Sequence, residues 1–278
     1  MRPKILFLTN KQNDAPEEDE LLINYLNKDF DLIVSHPSEC LPFLNTVDGV
    51  IIRNIWPTHE YQEDWDDVKT YIRDSDLPVY NPLDFKGDIE GKDYLVVLYN
   101  KGYPAIPSID RVKDLERLPP SEYYWIKPKK SCDGVGAEKL DKEELLQRNP
   151  KGFIIQPYME FECEPSFFYI DNEYHHAISE KHRLLNNGVN SYDPASDDLE
   201  FAMQFVRWSD LAYGTQRIDT IRTRDGTLLL TEIENLSPYL YLAEIDEIKR
   251  NEFLSAIRAS MVKVFTESMS IMESHAIL

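Results

Sequence analysis

Four side chains in one stretch of this sequence could do chemistry together: Arg217 and Asp219 in Arg217-Ile218-Asp219, and Glu232 and Glu234 in Thr231-Glu232-Ile233-Glu234-Asn235. Side chains on a strand alternate faces with a period of two, so Arg217 shares a face with Asp219, and Glu232 shares one with Glu234. The apolar Ile218 and Ile233 point the other way. A turn at Asp225-Gly226 folds residues 217–223 and 227–234 into a hairpin and brings Asp219 near Glu232 and Glu234. Three carboxylates on one patch repel unless a cation neutralises them. Hard oxygen donors of this kind select Mg2+ or Mn2+, with phosphates completing the coordination. The competing reading is a solvated sheet face whose acids pair with Arg222 or Arg224, and the hairpin alone leaves both open.

Three further segments carry candidate chemistry. Lys127 ends a strand-like run over 123–127 and leads into Pro128-Lys129-Lys130-Ser131-Cys132-Asp133-Gly134-Val135-Gly136. Gly134 and Gly136 allow the positive φ and close backbone approach that a phosphate-covering loop needs. The spacing matches neither a P-loop nor a dinucleotide fingerprint. Lys92 opens a helix over 92–101 that stops at Gly102, with Pro104 and Pro107 beyond. Gln156-Pro157-Tyr158-Met159 ends another strand. Glu164 follows Gln156 by eight residues, with Glu162 as its competitor.

These residues need elements to hold them. Over residues 1–85, short β runs (4–10, 31–35, 49–54, 77–80) alternate with helical patterns (19–27, 64–73), which predicts a small parallel α/β lobe. Ligands of such sheets gather at the carboxyl ends of strands. Arg53 sits at one such end, with Asn54 and Trp56. Farther on, 165–178 reads as a hairpin turning near Asp171-Asn172, 186–194 as a polar loop, 199–208 as a helix, and 248–272 as a long amphipathic helix. The division expected is a first lobe over 1–85, a central lobe over 86–155 carrying the phosphate loop, and a last lobe over 156–278 carrying the hairpin.

Taken together, and in this order, the motifs resemble the ATP-grasp ligases, whose D-alanine–D-alanine ligases show a similar Arg-x-Asp and Glu-x-Asn hairpin. The resemblance runs from about residue 86 to 245. It implies an α/β ATP-grasp fold in which two lobes clasp ATP and two Mg2+ ions (Mn2+ in their place) lie against the phosphates. It makes Asp219, Glu232 and Glu234 metal ligands and Arg217 the stabiliser of a tetrahedral oxyanion. Glu234 stands where Asn is usual, and the strand period favours it over Asn235. Lys127 and Lys92 would contact phosphates, and the loop holding Gly134 and Gly136 would close over them. The backbone around Gln156, Pro157, Tyr158 and Met159 would meet adenine, and Glu164 the ribose hydroxyls, a charge-assisted carboxylate–diol pair.

The activity so implied is ADP-forming, carboxylate–amine ligation through an acyl phosphate, on an amino acid or small peptide-like substrate. Arg53, Lys181, Arg183 and Ser237 are the candidates for substrate contact. Intramolecular ring closure on the same fold, or a non-catalytic ATP-binding regulatory module, are the alternatives.

Bulk properties fit. The formal charge of −20 over 278 residues argues against nucleic acid and anionic lipid as general partners. No apolar run approaches a membrane span. The start, Met1-Arg2-Pro3-Lys4-Ile5, lacks a signal-peptide layout, and three scattered cysteines suit a reducing cytoplasm. The expected partners are therefore a small-molecule carboxylate and an amine, and a homodimer is compatible with this.

Overall fold

The computed structural model describes residues 2–10, 17–131, 134–180 and 188–276, with side chains described to residue 266. Its first sheet is parallel, in the order β2 (Asp31–Ser35), β1 (Lys4–Leu8), β3 (Gly49–Ile52), β4 (Val79–Tyr80). Both faces are covered, which explains the unbroken apolar run Ile5-Leu6-Phe7-Leu8. Ile5 and Phe7 face one core with Leu22 and Leu26 of α1 (Glu17–Leu26). Leu6 and Leu8 face another, with Leu44 of the short α2 (Leu41–Leu44) and Trp65, Val68 and Ile72 of α3 (Gln62–Asp74).

The second sheet is antiparallel, in the order β6 (Glu138–Asp141), β5 (Tyr123–Pro128), β7 (Phe153–Pro157). It is preceded by α4 (Asp93–Asn100) and backed by α5 (Lys142–Arg148), whose start is a reciprocal cap between Asp141 and Glu144. The lobe boundary expected at 155 falls inside β7, whose pairing with β5 runs on to Pro157.

The third sheet is antiparallel, in the order β10 (Val189–Tyr192), β9 (Glu173–Glu180), β8 (Phe161–Ile170), β11 (Thr215–Thr223), β12 (Leu228–Glu234). The turn between β8 and β9 places Asp171 and Asn172 at positive φ, as short polar side chains allow. Part of the polar loop expected over 186–194 is a strand instead. Residues 189–192 pair with β9, because a sheet edge supplies ladder partners to any extended chain beside it.

α6 (Ser196–Ser209) and α4 cover one face of this sheet. The long α7 (Glu247–Ala276) covers the other, where Phe253, Ile257 and Phe265 join a core shared with Phe7, Phe30 and Ile51 of the first lobe. The last helix thus cements the first and third sheets. Among the described residues, no helix is long and apolar enough to cross a membrane.

Candidate active site

In the β11–β12 hairpin Arg217 lies opposite Glu234, Ile218 opposite Ile233, and Asp219 opposite Glu232. Ile218 and Ile233 are buried against α4 and α6, which leaves the four charged side chains together on the other face. The next pair is Thr220 with Leu230, so Thr231 is the extra residue of a β-bulge. The bulge matters: it returns Leu230 to the same buried core as Ile233 while Glu232 faces the charged patch. β8 continues the face, with Ser166 opposite Asp219 and Phe168 opposite Arg217.

Arg217 is the hub, and it is only 7% exposed. Its Nε donates to Asp219 Oδ1 (2.8 Å), and its Nη2 to Asp219 Oδ2 (2.9 Å) and Glu234 Oε1 (2.5 Å). Its Nη1 donates to the Tyr239 carbonyl (2.8 Å), and its guanidinium lies 5.3 Å from the Tyr241 ring centre. Burial opposes the charge, but Asp219 and Glu234 hold the guanidinium's pKa well above its ordinary value. Lys92, at the foot of α4, reaches across to an ion pair with Glu232. Burial pulls Lys92 down, yet Glu232, Glu234 and Asp88 leave it above the usual lysine range.

Two cations therefore face four carboxylates, because buried Asp88 belongs to the same cluster. Asp88 Oδ1 accepts from the Leu236 N–H (2.9 Å), and burial, with Glu232 adding, pushes it up to about 7. Burial likewise raises Glu234 against the pull of Arg217, and Asp219, Glu232 and Asp88 add to the rise. Among the described residues, no three His, Cys, Asp or Glu side chains already converge as a closed metal site. Each acid of the hairpin is turned to a cationic side chain instead.

Of the residues expected around a nucleotide, Lys127 stands on β5 opposite Ile154 of β7. Gly91 (φ +97°) lies so near the β5 end that an added Cβ would meet the Lys129 carbonyl oxygen at 2.5 Å, and the Lys92 N–H donates to that same oxygen (2.9 Å). Lys92 and Lys127 are thereby held to one frame. Lys129 is engaged by Asp93 and Asp110. Gly134 and Gly136 both have positive φ. Gln156 is buried, its side chain donating to Ser108 Oγ (2.9 Å), and Pro157 is buried beside it. Met159 is half-buried, and Tyr158 is exposed with Lys139 Nζ 3.8 Å from its ring centre. Glu164 is half-buried and in register on the face that carries Asp219, whereas Glu162 is exposed at a ladder irregularity.

The expected substrate residues scatter. Arg53 is 4% exposed and turned inward, with its guanidinium on Glu18, Asp19 and the Pro238 carbonyl. Ser237 is 6% exposed, and its Oγ has no hydrogen-bond partner among the described residues. Lys181 and Arg183 lie outside the described residues. The sequence reading missed Asp88, Asn81, Tyr94 and the 238–241 segment. Asn81 is buried and donates from Nδ2 to the Thr215 and Asn235 carbonyls (both 2.6 Å), bracketing the two ends of the hairpin. Tyr94 Oη receives the Ile233 N–H (2.7 Å). Their only sequence signal is proximity to Lys92 and Glu234.

No family model and no curated protein matches this sequence. Solved structures do. A D-cycloserine synthetase is 20% identical, with a TM-score of 0.71, 92% of this chain covered and 99% of the other. A D-alanine–D-alanine ligase from Bacillus anthracis, solved in complex with ATP, is 12% identical, with a TM-score of 0.67, 98% of this chain covered and 99% of the other. The macrocyclase MdnC from Microcystis aeruginosa MRC, bound to its precursor peptide, is 13% identical, with a TM-score of 0.65, 91% of this chain covered and 98% of the other. Identities of this size speak for architecture alone, and the architecture agrees over nearly the whole chain: this chain has the ATP-grasp fold.

Proposed function

We propose that this protein is an ATP-dependent ligase that activates a carboxylate as an acyl phosphate and joins it to an amine, releasing ADP and phosphate. The observation that carries the reading is the hairpin face: Arg217, Asp219, Glu232 and Glu234 together, with Lys92 brought to them from α4. A solvated surface would not bury an arginine between two acids. The likeness to an ATP-bound ligase and to a D-cycloserine synthetase supports the same reading.

The donor set suits a hard divalent cation. It consists of carboxylate oxygens only, with four acids against two cations and Glu234 held above the usual carboxylate range by burial. Asp219, Glu232 and Glu234 would hold Mg2+, which when bound supplies charge neutralisation at the phosphates. The chain's own part is positional. Lys92 is released from Glu232 to meet phosphate, with Lys127 beside it on β5. Glu164 receives the ribose hydroxyls. Arg217, already desolvated, donates to the oxyanion that forms when the amine attacks the acyl carbon.

The test is to incubate the protein with ATP, Mg2+ and pools of amino acids and short peptides, measuring ADP and phosphate. Substrate-dependent ADP release is expected. AMP with pyrophosphate, or no nucleotide turnover with any pool, overturns the ligase. Peptides belong in the pools because similar structures include a macrocyclase holding its precursor peptide; ring closure would appear as loss of one water without an added amine.

A further inference from the structure

Among the described residues Arg217 makes one hydrogen bond that is not to an acid: its Nη1 donates to the Tyr239 carbonyl. The Tyr239 N–H in turn approaches Glu234 Oε2 (3.4 Å). The direction of this peptide therefore helps to set where the guanidinium sits. The segment lies beyond the end of β12, outside the hairpin's own ladder. Two residues on, Tyr241 has φ +55°, a left-handed conformation that costs a bulky residue energy and persists only when the surroundings impose it.

The groups that hold the residues just before it come from the first lobe, about two hundred residues away in sequence. Arg53 Nη1 donates to the Pro238 carbonyl (2.7 Å), and the Leu240 N–H donates to Glu18 Oε2 (2.8 Å). Arg53 Nη2 and Glu18 Oε1 pair with each other at 2.5 Å, their side chains 5% and 0% exposed. Asn54 Nδ2 donates to Glu18 (3.1 Å) and to Asp19 (2.8 Å), and Thr9 Oγ1 donates to Asp19 (2.5 Å). One buried ion pair thus holds the backbone immediately before and immediately after Tyr239.

We propose that Arg53 and Glu18 are positioning residues for Arg217, clamping residues 238–240 so that the Tyr239 carbonyl is presented to its guanidinium. A buried ion pair is a poor route to stability alone, because desolvation offsets most of its attraction. Its use here is geometric. One partner offers an N–H to a carbonyl, the other an oxygen to an N–H, and an apolar pair would leave both backbone groups unsatisfied. Buried, and with each of its three guanidinium nitrogens engaged, Arg53 shapes the cleft through the loop rather than by touching substrate.

The inference rests on the ligase reading only for what Arg217 does in turnover, so the test has an arm that needs no substrate. In protein labelled with 15N-arginine, the Nε–H resonance of Arg217 is assigned by its loss in Arg217→Lys. Arg53→Lys keeps the charge but loses the fork. Glu18→Gln keeps an acceptor for Leu240 but loses the ion pair, and it carries the comparison if Arg53→Lys does not fold. In either variant the Arg217 Nε–H is expected to exchange with solvent about tenfold faster or more. Asp29→Asn, which breaks the pair with Arg258 elsewhere on the first lobe, is the control and leaves the resonance unmoved.

In turnover, kcat falls about 10–100-fold while KM for ATP stays within about twofold. An Arg217 resonance with wild-type shift and exchange in a folded variant overturns the clamp. Absence of ADP release from the wild type overturns the ligase reading and leaves the resonance comparison standing.

Discussion

At the scale of single residues, the free protein holds its acids with its own cations, Lys92 on Glu232 and Arg217 on Asp219 and Glu234. Binding of a cation-loaded nucleotide would exchange the first pair, freeing Lys92 for phosphate as the cation takes Glu232. Glu232→Gln removes the charge and keeps the shape. It is expected to lower turnover to about a thousandth or less, the several kcal/mol that a cation contributes to a transferring phosphoryl group. Circular dichroism should be unchanged, since Glu232 is partly exposed and supports no backbone group among the described residues. Turnover within threefold of wild type would sink the metal assignment.

At the scale of elements, the close approach of α4 to β5 is testable through glycine. Gly91 and Gly226 both have positive φ, but an added Cβ at Gly91 meets a backbone oxygen at 2.5 Å, while at Gly226 nothing lies within 4 Å. Gly226→Ala should therefore cost about 1 kcal/mol, from φ alone. Gly91→Ala should cost clearly more, about 2–4 kcal/mol, because Lys129 or the Lys92 turn must move. Urea midpoints at constant m-value separate the two, and equal losses would mean that the α4–β5 contact is loose.

The same contrast explains what the sequence disclosed. The hairpin was legible because alternation along 217–219 and 232–234 is a local rule, and both runs lie on one side of the Thr231 bulge. The bulge was not legible, since Thr suits a regular strand equally well. Arg53 was legible as a residue at a strand end, but not its burial, because the acids that take it lie on α1 and the loop it holds is 185 residues away. β10 went unseen for the same reason: Val189-Asn190-Ser191-Tyr192 becomes a strand only because β9 lies beside it.

At the scale of the whole molecule, distant parts of the chain are joined through α7, and a pH experiment can measure one joint. Arg258 donates twice to Asp29 (both 2.6 Å), and these hydrogen bonds, ahead of the charge itself, hold the Asp29 carboxyl below its ordinary 3.8. A depressed carboxylate contributes stability that is fully present above 3.8 and is lost as pH falls through the lower folded-state value. The pair is largely solvated, so its contribution at neutral pH is small. Asp29→Asn should be slightly less stable than wild type at pH 7, with the gap closing in acid below 3.8. A gap that stays constant down to acid unfolding would mean that packing, not charge, joins the two elements.

The whole-molecule charge also bears on how nucleotide arrives. A chain of formal charge −20 repels free ATP, and the cations nearest the hairpin, Lys92 and Arg217, are neutralised by their own acids. Free ATP therefore meets net repulsion both at long range and in the cleft. With Mg2+ the balance would reverse, because the excess carboxylates would become its ligands. The expected outcome is a rise in melting temperature with ATP and Mg2+ of about 5–10 °C at a hundredfold excess over Kd, corresponding to about 2.7 kcal/mol of linkage. With ATP and EDTA the rise should be small, and it should grow when salt screens the repulsion. Equal shifts with and without Mg2+ would mean that lysine and arginine hold the triphosphate unaided. The four-acid cluster would then need another explanation, the strongest being that its charge holds Arg217 and Lys92 in place.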